Sequence, residues 1–220
     1  MISNEEREER KKCIGGSDIH KIMNFDSVLC NELWEEKLGI LEKEDSLGDN
    51  IHIIAGNILE EDALKCFSNT YKIPITLNER IEHKTIKGFI CSLDARSKDT
   101  VIENKIIGNN TWNKFQAKRK FNALYGETKL NISSNYYLQV QAQMSCTGLD
   151  KAILLLNILE DYQKINCLDT VITDIQQRPV EIKRYEAIIK EIENRAKFFI
   201  ECLNYKKRPR ETEFLERNLF

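Results

Sequence analysis

The chain has 220 residues, 41% of them apolar and 31% charged, with a net charge of −2 and an isoelectric point near 6.0. That length and balance suit one well-buried domain, and they leave no global basic field, so contact with a polyanion must come from local patches. The seven cysteines are scattered without a C-x-x-C pair, which argues against a zinc or iron–sulfur site. No signal peptide or 18-residue apolar run is present, so the expected setting is a reducing cytoplasm with no membrane span.

In chain order, NEEREERKK reads as a solvated helix turn or a frayed tail. In CIGGSDIHKIMNF, Gly15 and Gly16 precede Ser17, an N-cap type, and Ile19, Ile22 and Met23 follow at helical spacing. Glycines at a helix N-terminus let backbone N–H groups approach an anion, and Arg10 lies seven residues upstream to close such a site. The plainer reading is an ordinary loop-to-helix junction. Residues 27–46 continue as helix with a charged tail, with Leu33, Trp34 and Leu38 in the core.

IHIIAGNILEEDALKCF predicts a further helix. On a 3.6-residue repeat Glu60 shares its face with Gly56, Ala63, Leu64 and Phe67, whereas Glu61 and Asp62 turn away. A carboxylate aimed inward needs a partner: a metal ion or its water shell, or else a core hydrogen bond or ion pair. After Tyr71, KIPITLNERIEHKTIKGF looks extended, with Pro74 suiting a strand start or edge, and His83 reads as a surface histidine.

The most informative stretch is GFICSLDARSKDTVIENK, residues 88–105. Phe89–Leu93 and Val101–Ile107 read as strands around a charged turn over 95–100. Alternation puts Val101, Glu103, Lys105 and Ile107 on one face, so Glu103 and Lys105 stand about 7 Å apart along the strand. Asp94, at the end of the preceding strand, can add a second carboxylate. The spacing D-x8-E-x-K resembles the PD-(D/E)xK nuclease signature. Its chemistry suits phosphodiester hydrolysis: Mg²⁺ prefers carboxylate, carbonyl and water oxygens, and Asp94, Glu103 and the main-chain carbonyl of Asn104 can offer them. Lys105 can orient or deprotonate the attacking water. Read alone, the pattern also fits a surface hairpin.

Residues 108–133 include TWNKFQAKRKF, where Trp112 and two phenylalanines interleave with Lys114, Lys118, Arg119 and Lys120. Such a mixture suits a DNA groove or, equally, an amphipathic helix with a solvated basic face. SNYYLQVQAQMSCTG predicts a helix ending at Gly148. On it Gln139 and Gln143 lie one turn apart on the face of Tyr136, and Gln141 faces elsewhere. An apolar strand, KAILLLN, follows, then another strand near 171–175. A long amphipathic helix with Ile188, Ile189, Ile192, Ala196, Phe199 and Leu203 on its stripe comes next, and residues 205–210 form a basic tail.

Taken together, Arg10…IGGS, G-x-x-x-E at 56–60, SLD at 92–94, E-x-K at 103–105 and YYLQVQAQM at 136–144 resemble the YqaJ-like, lambda-type exonuclease family of viral and prophage recombination, over about residues 7–157. The resemblance implies Asp94 and Glu103 as metal ligands, Lys105 as the catalytic lysine, Glu60 as the helix acid and Gln139 as a glutamine near the active site. It also places Arg10 and Ser17 where the family binds a 5′ phosphate. Gly15 stands where relatives can carry a hydroxyl, which puts one phosphate contact in doubt.

The fold implied is α/β: a restriction-endonuclease-like core, a central mixed sheet flanked by helices, and a C-terminal amphipathic helix in a single domain over 1–220. The function implied is a Mg²⁺-dependent exonuclease, with Mn²⁺ able to substitute, acting 5′→3′ on double-stranded DNA ends. A single-strand annealing protein is the implied partner and a homo-oligomer, a trimer, the implied assembly, in a host cell's cytoplasm or nucleus if the source is viral. The alternatives are a structure-selective or restriction-type endonuclease and a non-catalytic nucleic-acid-binding protein on a nuclease fold.

Overall fold

A computed structural model describes residues 11–41, 50–116 and 132–218. Five strands form one sheet in sequence order: β1 (Thr76–Glu82), β2 (Ile90–Arg96), β3 (Val101–Ile107), β4 (Lys151–Ile158) and β5 (Gln177–Lys183). Only β3 and β4 run parallel; the other neighbours are antiparallel. The helices, in chain order, are α1 (Ile19–Ile22), α2 (Val28–Lys37), α3 (Ile51–Tyr71), α4 (Asn109–Gln116), α5 (Ser134–Thr147), α6 (Asp161–Ile165), α7 (Glu186–Asn204) and α8 (Glu211–Asn218). None of the described helices is long and apolar enough to cross a membrane.

β3 and β4 are apolar on both faces because both are covered. Val101, Leu154 and Leu156 pack in one core cluster with residues of α1, α5 and α7, while Ile102 and Leu155 pack with Leu64 and Phe67 of α3 on the other side. α3 buries Ala63, Leu64 and Phe67 and exposes Glu61 and Asp62, following its sequence periodicity. α5 ends on Gly148, whose left-handed φ of +72° lets its N–H reach the Met144 carbonyl at 2.9 Å.

Two irregularities shape the sheet. Asn78 adopts φ +54° within β1, opposite Asp94 of β2, and neither residue joins the ladder there. The hairpin turns at that point: Leu77 packs on the α3 side and Ile81 on the α5 side, although an even spacing would keep them on one face of a flat strand. The second irregularity is a fork. β2 and β3 pair only at Ala95–Ile102 and Arg96–Val101, then part, whereas β3 stays paired with β4 along its whole length.

Several sequence expectations need correction. Ser17 is not an N-cap; it lies inside a 3-10 turn, Gly16–Asp18, with Gly15 in the cap position. The helix after residue 27 ends at Lys37. β2 runs on through Arg96, so the turn is shorter than expected. The strand expected near 171–175 lies instead at Gln177–Lys183; Val171 and Ile175 are 76% and 77% exposed. His83 is no free surface residue, since its ring stacks on Phe89 and meets Glu193 at 3.3 Å. The basic stretch at 205–210 is exposed except at Pro209, but it is not a tail: α8 follows it and buries Phe214 against Phe25 and Phe198. The described cysteines are all free, and Cys30, Cys91, Cys146, Cys167 and Cys202 are buried, with burial pushing the Cys30 thiol up to about 12.

Candidate active site

The fork brings the acidic residues together. Where the β2–β3 ladder stops, the Asn104 N–H has no backbone partner across the gap and donates instead to Asp94 Oδ2 at 2.8 Å. Glu103, fully buried, projects from β3 beside it. Its Oε1 accepts from Lys105 Nζ and from Gln139 Nε2 at 2.6 Å, and its Oε2 accepts from Gln143 Nε2 at 2.5 Å. Lys105 lies 5.5 Å from the centre of the Tyr136 ring. Glu60, half-buried on α3, faces the same space, and with Asp94, Glu103, Lys105 and Gln139 it lines a cleft of about 380 Å³.

Electrostatics sets this cleft apart. Burial, then the negative charges of Glu103 and Glu60, pushes the Asp94 carboxyl up to about 8, against the opposing pull of Lys105 and the Asn104 N–H. Burial, followed by Glu103, also raises Glu60. Burial works against the Lys105 cation, yet Glu103 and Asp94 outweigh it and hold that lysine protonated. One lysine thus faces three carboxyl groups, and like charges packed together disfavour their own ionisation.

A buried polar chain underlies the site. Asn157 Nδ2 donates to Asn104 Oδ1 at 2.6 Å, and Gln177 Nε2 donates to Asn157 Oδ1 at 2.9 Å and to the Ala63 carbonyl at 2.8 Å. It ties β3, β4 and β5 to α3 and so fixes Glu60 relative to the fork. Its members are 20 to 114 residues apart, and no local pattern announces them.

The glycine segment forms the opposite wall. Ile14 bridges to Phe89 beside β2, through Ile14 N to Gly88 O and Ile90 N to Ile14 O, both at 2.9 Å. Gly16 is buried so closely that an added Cβ would lie 3.2 Å from Cys91 Sγ and 3.5 Å from the Gln139 carbonyl. The Gly15 N–H donates to Asp18 Oδ2 at 3.1 Å. Asp18 is met by Lys37 at 3.3 Å and Lys21 at 3.4 Å; burial works against its charge, but Lys37 and then Lys21 hold it below the usual carboxylate range. An anionic side chain therefore already lies at the glycine turn. Ser17 is exposed on the cleft rim.

Asp94, Glu103, Lys105, Glu60, Gln139, Gly15, Gly16 and Ser17 thus share one cleft. Ser92 of the SLD motif joins them, as do Asp18, Lys37 and Arg80, which were not singled out from the sequence. Trp112 and Lys114 sit on α4 away from the cleft lining, with Trp112 packed against the core. Arg10, Lys118, Arg119 and Lys120 lie outside the described residues.

Solved structures share this architecture. The alkaline exonuclease LHK-Exo from Laribacter hongkongensis is 23% identical over 96% of this chain and 94% of its own, with a TM-score of 0.64. LHK-Exo in complex with dAMP, again 23% identical, aligns over 99% and 98% at a TM-score of 0.65. A phage-related exonuclease from Haemophilus somnus 129PT is 17% identical over 88% and 96%, with a TM-score of 0.60. At such identities the likeness establishes the α/β fold. No curated protein matches the sequence. The sequence profile of the YqaJ-like viral recombinase domain matches residues 7–150, and the chain belongs to that family.

Proposed function

We propose that this protein is a metal-dependent deoxyribonuclease, an exonuclease that digests linear duplex DNA 5′→3′ from its ends during recombination. The observation that supports it most is the cluster of Asp94, Glu103, Glu60 and Lys105 at the fork, in a cleft open to solvent. Family membership and a fold shared with exonucleases point the same way.

The donor set fits a hard cation. It offers oxygens only, and burial together with the charges of Glu103 and Glu60 lifts Asp94 to about 8, a frustration that a divalent ion relieves. Among the described residues no three acidic, imidazole or thiol side chains form a ready-made cage, and Mg²⁺ needs none because it keeps several waters. Asp94, Glu103 and the main-chain carbonyl of Asn104 would hold Mg²⁺ or Mn²⁺, with Glu60 reaching it through water. Bound there, the ion would activate water and neutralise charge on the phosphate. Lys105 orients the attacking water and stabilises developing negative charge, and Gln139 keeps Glu103 Oε1 in place.

In this reading Arg10, Ser17 and Gly16 would meet the 5′ phosphate, the Gly15 N–H being already engaged by Asp18 Oδ2. Arg10→Ala is expected to slow digestion of 5′-phosphorylated ends about tenfold to a hundredfold more than of 5′-hydroxyl ends. Initial rates on the two substrates measure it. Residues 1–220 act as one domain, working beside a single-strand annealing protein. A homo-oligomer, a trimer, is the proposed assembly, and the exposed Tyr162, Ile165, Leu168, Val171 and Ile175 (65–83% exposed) offer an apolar surface for it. Light scattering that gives a monomer with and without DNA rejects the oligomer.

The deciding experiment incubates linear and circular duplex DNA with Mg²⁺. Loss of the linear form alone is the expected result. Cutting of both forms indicates an endonuclease, and cutting of neither a binding protein.

A further inference from the structure

Gln143 is a fully buried polar residue that no step above uses. It lies one helical turn beyond Gln139 on α5, and its Nε2 does two things at once. It donates to Glu103 Oε2 on β3 at 2.5 Å and to the Ser92 carbonyl on β2 at 3.2 Å. Those strands have stopped pairing at this level, so one side chain ties the two arms of the fork together. The other half of the amide is an anomaly: Gln143 Oε1 is buried with no hydrogen-bond partner. Turning the amide over would give Oε1 no donor here either, because it would then face the Glu103 carboxylate and the Ser92 carbonyl. The carboxylate therefore dictates the orientation and leaves the acceptor stranded.

A residue kept for packing alone would be better served by an apolar side chain of the same size. We propose that Gln143 is a positioning residue for metal binding. An ionised carboxylate has about four acceptor sites. Lys105 and Gln139 occupy two on Oε1 and Gln143 one on Oε2, which fixes the Glu103 side chain and leaves a site on Oε2 for the cation. The inference rests on the reading of Asp94 and Glu103 as metal ligands.

Calorimetric titration with Mn²⁺ in the absence of DNA, alongside thermal melting of the metal-free proteins, tests it. Gln143→Met keeps the volume and removes the donor; Gln143→Glu keeps the shape and sets an acceptor against Glu103. Both are expected to bind Mn²⁺ at least about tenfold more weakly than wild type, as loss of outer-shell partners generally does. Gln143→Met removes one stranded acceptor but deprives Glu103 Oε2 and the Ser92 carbonyl of their donor, so it should melt somewhat below wild type with a cooperative transition retained. Wild-type Mn²⁺ affinity in either folded variant overturns the inference, and so does loss of the folding transition in both, which would make Gln143 a packing residue. Failure of the wild type itself to bind Mn²⁺ defeats the underlying metal-site reading instead.

Discussion

Two clusters of buried charge in this molecule obey opposite rules. Around Arg195 every charge is answered. Its guanidinium reaches Glu211 at 2.6 and 2.9 Å and Glu191 at 2.5 Å, and lies 5.1 and 4.5 Å from the Phe25 and Phe214 ring centres. Glu211 also accepts from the Phe25 N–H at 2.9 Å, and its hydrogen bonds to Arg195 hold its carboxyl below the usual range. At the β2–β3 fork the charges are not answered: three carboxyl groups share one lysine, and Asp94 is pushed up to about 8. Buried charge that is fully paired holds elements together. Buried charge left in excess is what the proposed metal ion would offset.

The sharpest way to break the comparison is to neutralise each cluster. Glu103→Gln or Lys105→Ala is expected to lower the initial rate of DNA digestion by on the order of 10³-fold or more, with a cooperative melting transition retained. Near-normal rates with Mg²⁺ would remove the fork from the chemistry. Arg195→Met should do the reverse. It strands the partly buried Glu211 and is expected to destabilise the fold by about 3 kcal/mol, measurable by urea denaturation, with turnover below the transition unchanged.

A smaller effect separates the clusters by sign. Asp94 ionises near 3.8 when unfolded but near 8 in the fold, so the fold favours its protonated form. Its contribution to metal-free stability is therefore greatest below about 4 and declines as pH rises towards 8. Glu211 is lowered in the fold, so its contribution is present above its unfolded value near 4.5 and is lost as pH falls through the folded one. Asp94→Asn is expected to raise the metal-free melting temperature at pH 8 by about 3 °C or more and to remove most of the Mg²⁺-dependent gain seen in wild type. Melting curves at pH 5 and pH 8, with and without Mg²⁺, measure both.

What was legible from sequence follows the range of the forces involved. β3 and β4 announced themselves because apolar residues run through β4 and flank Glu103–Lys105 on both sides in β3. Helical period alone put Glu60 on the inward face of α3, where it lines the cleft, and set Gln143 beside Gln139. β5 was missed because QRPVEIK is an edge strand with polar residues, while the β-branched residues just before it are exposed. α8 was missed because a single buried phenylalanine anchors it. Lys37 and Arg80 reach the cleft from elements that the sheet brings together, and no spacing along the chain encodes that. The tie from Asn104 through Asn157 to Gln177 was invisible for the same reason.

The bond from Glu211 to the Phe25 N–H spans 186 residues. It fastens the segment that follows the glycine turn, so that wall of the cleft has a timetable set by the ribosome. At about 5–20 residues per second, some 10–40 s separate the synthesis of its two halves. During that interval the fork can close and bury its acids while the segment beside it still lacks its fastening. The last strand of the sheet ends at Lys183, 28 residues before Glu211, so the fastening follows the completed sheet by only about 1–6 s of synthesis.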